Sequence, residues 1–163
     1  MPVTTSYLPV VKEIRDLLGD LLGRDITVSP TSPLAPTPVN PCTIGVYVDD
    51  SLRVVAVVAF DLRLSAYAGT AIGLVPVAGA EDAIEAKALE QGLRENLYEV
   101  LNIAASLFNP EGATHLRLYD VHHVGDPLPG DVLVKSLTLG RREDLSVDIA
   151  GYGAGKLAFV LVA

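Results

Sequence analysis

Apolar residues recur every third or fourth position from Tyr7 to Leu22, at Val10, Val11, Ile14, Leu17, Leu18, Leu21 and Leu22, with Lys12, Glu13, Arg15, Asp16 and Asp20 between them. That period predicts an amphipathic helix. Pro9 suits its first turn and Gly23 a left-handed stop. Pro30, Pro33, Pro36, Pro38 and Pro41 follow, which forbid a helix and remove too many donors for a central strand. Residues 29–42 therefore read as a stiff, extended crossover laid on the surface. Thr43 to Val48 and Leu52 to Phe60 are rich in valine and separated by Asp49-Asp50-Ser51, which predicts a β-hairpin. Its second strand is nearly all apolar and is expected to be buried on both faces. Asp61 or Ser65 then caps a short helix carrying Ala66, Ala68, Gly69, Ala71 and Ile72, ended by Pro76 and Gly79.

The longest periodic stretch, Glu81 to Phe108, predicts one long helix with Leu93, Leu97, Val100, Ala104 and Leu107 on its core face and Asn109-Pro110 as its stop. Beyond it, apolar segments alternate with turns and predict strands over Thr114–Val124, Val132–Leu139, Leu145–Ile149 and Lys156–Val162. The whole chain, 1–163, reads as a single α/β (α+β) domain in which an antiparallel or mixed sheet is covered by helices.

Composition narrows the function. Half of the 163 residues are hydrophobic, enough for one sizeable core. Twelve basic against twenty acidic residues leave a net charge of -8, which argues against nucleic acid or an anionic membrane surface as partner and for a basic protein surface. The longest apolar runs, Val54–Phe60 and Leu157–Ala163, are far shorter than the roughly 20 residues of a membrane span. The N-terminal stretch has no basic residue before Lys12 and does not read as a signal peptide, so a cytoplasmic location is expected. The valine-rich Val54–Phe60 and Leu157–Val162 are expected to expose edge and apolar surface, and so to favour a homodimer.

Candidate chemistry concentrates on the long helix. At 100° per residue, Glu95, Glu99, Asn102 and Ser106 fall within roughly 60° of one another, opposite the leucine face. The stripe presents two carboxylates, an amide and a hydroxyl without a cation, whereas a solvated face usually mixes signs.

Glu99-Val100-Leu101-Asn102 has the E-x-x-N form found on a helix of the CheC/CheX-type chemotaxis phosphatases, and the order of elements resembles theirs from about Leu8 onward. Glu95 stands four residues earlier, where that family usually carries Asp or Ser. Pro127, about two dozen residues after Asn102, is the nearest match to a proline the family places in the first loop beyond the motif helix. The resemblance implies a CheX-like fold and a phosphatase acting on the aspartyl phosphate of a CheY-like response-regulator receiver domain. Asn102 would orient water, Glu99 would dock the receiver's lysine, and Glu95, Ser106 and Pro127 would extend the contact. No cofactor is implied on this chain, because the divalent metal belongs to the receiver. Family relatives of this size also form homodimers. The same fold leaves open a non-catalytic binding module of the flagellar-switch kind, or a signalling adaptor.

Other constellations carry less. Asp120-Val121-His122-His123 with Asp126 offers metal-ligand residue types, but strand alternation separates His123 from Asp120 and His122, so no metal site is expected. Gly151-Tyr152-Gly153-Ala154-Gly155-Lys156 lacks the spacing and the Ser or Thr of a phosphate loop and reads as a hairpin turn. Cys42 has no basic neighbour or helix N-terminus to activate it, and being the lone cysteine it forms no intramolecular disulfide.

Overall fold

Gly23 adopts φ 65 and stops the first helix, α1 (Val11–Leu22). At the other end the Val10 N–H donates to Glu13 at 3.0 Å, and Tyr7 donates to the same carboxylate oxygen at 2.6 Å. The computed structural model describes residues 5–162. Residues 1–4, where the stretch read as lacking a leader begins, and Ala163 lie outside them.

After α1 the elements are β1 (Ile26–Pro30), β2 (Cys42–Val48), β3 (Val54–Asp61), α2 (Leu62–Ile72), α3 (Val77–Ala86), α4 (Gln91–Ala104), β4 (Arg117–His122), α5 (Gly130–Ser136), β5 (Arg142–Ile149) and β6 (Gly153–Leu161). The six strands form one sheet in the order β1-β5-β6-β3-β2-β4, antiparallel throughout.

The period-two alternation of β3 and β6 explains why both faces must be covered. Val58, Phe60, Leu157, Phe159 and Leu161 point to one core, shared with α1, α2 and α4. Val57, Ala59, Ala158 and Val160 point to a second core on the opposite face. The proline-rich segment closes that second face: running from β1 at one edge to β2 near the other, it inserts Leu34 and Pro36 as buried residues. Val132 of α5 joins them. Arg142 and Asp144, whose side chains are only 7% and 6% exposed, form an ion pair at 2.7 Å beneath this cover. Asp144 also accepts from the Leu34 N–H at 2.8 Å, and Arg142 donates to the carbonyls of Ser136, Thr138 and Leu34. Every strong polar group of the pair is thereby matched, as burial demands.

The structure departs from the periodicity at several places. The single long helix is two helices: Lys87 turns left-handed at φ 52 and ends α3, Leu89 drops into the core, and α4 starts afresh at Gln91. Helix α2 stops at Gly73, Leu74 reverses the chain at φ 54, and Pro76 and Gly79 belong to the start of α3. Val132–Leu139, expected as a strand, is helical through Ser136: Val132 and Ser136, four apart, are buried while Val134 between them is 68% exposed. Ile26–Pro30 forms an edge strand that the following prolines concealed. Finally, β3 and β6 are the two central strands, buried on both faces, so the edge and apolar surface invoked for a homodimer are not on offer there.

Candidate functional site: the outer face of α4

Helix α4 is held by its apolar residues. Leu93, Leu97, Val100, Leu101 and Ala104 are buried, and each of the leucines and the valine contributes about 1.5–3 kcal/mol on removal from water. Gly69 of α2 lets the two helices approach closely, since a Cβ there would lie 3.2 Å from the Leu93 carbonyl oxygen. The Asn96 amide uses that approach, donating to the Gly69 carbonyl at 2.9 Å. At the far end the helix tightens into a 3-10 turn over Ala105–Phe108. The Ala105 N–H then reaches the Asn102 carbonyl, and the Leu101 carbonyl accepts instead from the buried Tyr47 hydroxyl at 2.6 Å. Burial raises the Tyr47 pKa well above its ordinary value and keeps it a donor.

What remains outside is the polar stripe. Glu95, Glu99, Asn102 and Ser106 are all exposed. Glu95 accepts from Gln91 at 3.1 Å, whereas the Glu99 carboxylate and the Asn102 amide have no partner among the described residues. Glu99 and Asn102 sit three apart and so share one side of the helix. Ser106 lies on the 3-10 segment, whose tighter winding carries it off the α-helical row.

Pro127 is exposed but stands elsewhere. Its neighbour Asp126 receives two hydrogen bonds from Arg94, both at 3.1 Å, which fastens the loop after β4 to the first half of α4. Arg94 precedes Asn102 by roughly 12 Å of helix axis. The loop therefore borders Glu95 rather than the Glu99–Asn102 pair.

Sequence reasoning missed what this loop creates. Gln91, Arg94, Glu95, Tyr98 and His123 line a cavity of about 350 Å³ beside the stripe. Tyr98 is 46% exposed there, and its i+3 and i+4 relations to Glu95 and Asn102 were available from spacing alone. His123 has a buried, unpartnered Nδ1. Its pKa is lowered, first by burial and then by the Arg94 guanidinium, with Asp126 opposing and His122 reinforcing. A larger open groove of about 780 Å³, between α1 and β1, shares no residue with α4 and carries both charge signs at Arg15, Asp16, Arg24 and Asp25.

The remaining candidates behave as structural parts. His122 Nε2 lies 3.5 Å from Asp120 Oδ2, and no group of three potential metal ligands occurs among the described residues. Cys42 is buried, which, with the nearby Asp61 charge, pushes its pKa up to about 12. Gly151, at φ 84, turns β5 into β6. No helix among the described residues is long and apolar enough to cross a membrane.

No protein-family model and no curated sequence matches the chain. Solved structures do resemble it. The FliM middle domain from H. pylori superposes with a TM-score of 0.57 at 8% identity, over 93% of this chain and 84% of that one. FliM in the FliM-SpeE complex from H. pylori gives 0.58 at 8% identity, over 93% and 80%. CheX from Desulfovibrio desulfuricans aligns over 93% and 95% at 12% identity, but its TM-score of 0.39 is too low to carry weight. The fold is that of the FliM middle domain.

Proposed function

We propose that the outer face of α4 docks a phosphorylated receiver domain and that Asn102 positions the water that hydrolyses its aspartyl phosphate. The observation that carries this reading is the pairing of Glu99 with Asn102, both exposed and unpartnered one turn apart on a helix otherwise fixed in the core. Aspartyl phosphate is a reactive acyl phosphate, and a receiver brings its own metal and lysine, so little remains beyond holding water in line with phosphorus. A carboxamide can accept from and donate to that water without bringing negative charge toward the phosphoryl group. Glu99 supplies a charge for the receiver's lysine.

A second reading has its own support. FliM occurs in complexes with SpeE and with FliG, and the loop that carries Pro127 is tied to the other half of α4 through Asp126 and Arg94. On that reading the same face docks a protein partner and no hydrolysis follows.

A panel of receiver domains, phosphorylated by a small-molecule phosphodonor in the presence of Mg²⁺, separates the two. Faster phosphate loss with the wild type, reduced about 10²-fold or more by Asn102→Ala, supports catalysis. Glu99→Ala is expected to weaken binding, most at low ionic strength. Receivers bound but not dephosphorylated faster would replace catalysis by docking, and no receiver bound at all would overturn the receiver reading and leave only docking of a different protein partner.

A further inference from the structure

The cavity between α4 and the loop after β4 is the part of this face that the E-x-x-N pair does not use. At about 350 Å³ it lies at the small end of the roughly 300–1,000 Å³ typical of ligand sites, a size suited to one long side chain. Its charges do not cancel. Arg94 and Asp126 neutralise each other through two hydrogen bonds, and His123 is held toward its neutral form by burial and by Arg94. Glu95 is left as the one unbalanced charge on the wall, its carboxylate oriented by the Gln91 amide at 3.1 Å. Beside it stands Tyr98, 46% exposed, and an aromatic ring attracts cations to its face.

We infer that this cavity receives a lysine or arginine side chain of the docked protein, its cation set over the Tyr98 ring and against the Glu95 carboxylate. The inference rests on α4 being a docking face, and it assigns Tyr98 and Glu95 the selection of a partner with a basic side chain roughly 6–10 Å, one to two turns of α4, from the residue opposite Asn102. The net charge of -8 on the chain favours such a partner at longer range.

The direct test is an amide-resolved NMR titration of the full chain with Nα-acetyl-arginine-methylamide, alongside the uncharged isostere Nα-acetyl-citrulline-methylamide. Saturable shifts centred on Gln91, Arg94, Glu95, Tyr98 and His123 are expected with the arginine probe, with binding weaker by roughly three- to tenfold for citrulline, Tyr98→Leu or Glu95→Gln. No saturable response, an equal response to both probes, or wild-type affinity in both variants overturns the inference. Receiver binding, measured in parallel, keeps the two proposals apart. Receivers bound equally well by wild type, Tyr98→Leu and Glu95→Gln overturn the cavity assignment and leave the E-x-x-N reading intact. Arginine bound in the cavity with no receiver bound overturns the proposed function and leaves the cavity assignment standing.

Discussion

The Tyr47 hydroxyl and the Leu101 carbonyl meet at 2.6 Å inside the core, and the residue that follows Leu101 is Asn102. One bond thus joins the second strand of the sheet to the point where α4 tightens into its 3-10 turn. Tyr47→Phe keeps the ring and its tilted contact with Phe108, 5.1 Å between centroids, but leaves a buried carbonyl unpaired. A loss of about 1–3 kcal/mol is expected in urea denaturation. If Asn102 acts as proposed, dephosphorylation falls as well, because the carboxamide loses the anchor beneath it. Unchanged stability would mean that water or a shifted helix repairs the bond.

Two glycines are expected to respond in opposite directions to alanine. At Gly155 a Cβ would overlap the backbone of Leu64, with its Cα at 2.7 Å, where β6 passes under the start of α2. Gly155→Ala should cost about 2 kcal/mol or more, or abolish folding. At Gly92 nothing lies within 4 Å of the added atom and the backbone is already helical. Gly92→Ala should raise stability by about 0.5 kcal/mol, and thermal melts of the two variants read both signs.

Asp144→Ala strands the Arg142 guanidinium under the proline-rich cover. Breaking one side of so buried a pair is expected to cost about 3–5 kcal/mol. The double variant Arg142→Met, Asp144→Leu should recover much of that loss, since no unpaired charge remains. A double variant as unstable as the single one would show that the backbone bonds to Leu34, Ser136 and Thr138 matter more than the charge.

Acidification should destabilise the fold through His123. Its folded pKa is depressed, so the unfolded chain takes up the proton first, near the ordinary value of about 6.5. The stabilisation is present above that pH and is lost as pH falls through the folded pKa. Arg94, Asp126 and His122 surround the ring and set how far below 6.5 the loss extends. Denaturation midpoints between pH 7.5 and 5.5 should fall less for His123→Gln than for the wild type. Equal slopes would assign the drop to other groups.

Much of the fold is legible in local signals: Gly23 as a helix stop, Asp61 as the cap that accepts from the Leu64 N–H at 2.8 Å, the polar turn between β2 and β3. What was hidden obeys non-local rules. No glycine or proline marks the break between α3 and α4, because Lys87 itself takes the left-handed turn and the apolar period continues across it. Val132, Leu133 and Val134 favour a strand by residue type, yet they form a helix that sets Val132 into the second core and leaves Val134 outside. The position of β3 and β6 at the sheet centre depends on which strands pair, which valine content does not encode. At the site, helical spacing sufficed to place Glu95, Glu99 and Asn102 outward. The cavity at Tyr98 required knowing that Arg94 would hold Asp126, a contact between elements 32 residues apart.

The strand order also bears on how the chain comes off the ribosome. At the centre of the sheet, Val58 pairs with Phe159, about a hundred residues later in synthesis, and the edge strand β1 waits for β5. Until β6 emerges, the hairpin of β2 and β3 has one apolar edge unpaired, because the β3 partner on that side is β6. Pairings of such long sequence separation slow folding, and an exposed hydrophobic hairpin is a target for aggregation or for a chaperone during that interval. A ribosome stalled before Gly153 should therefore carry a nascent chain that is protease-sensitive and chaperone-bound, whereas one stalled only after the tunnel has released Leu161 should carry a protected one.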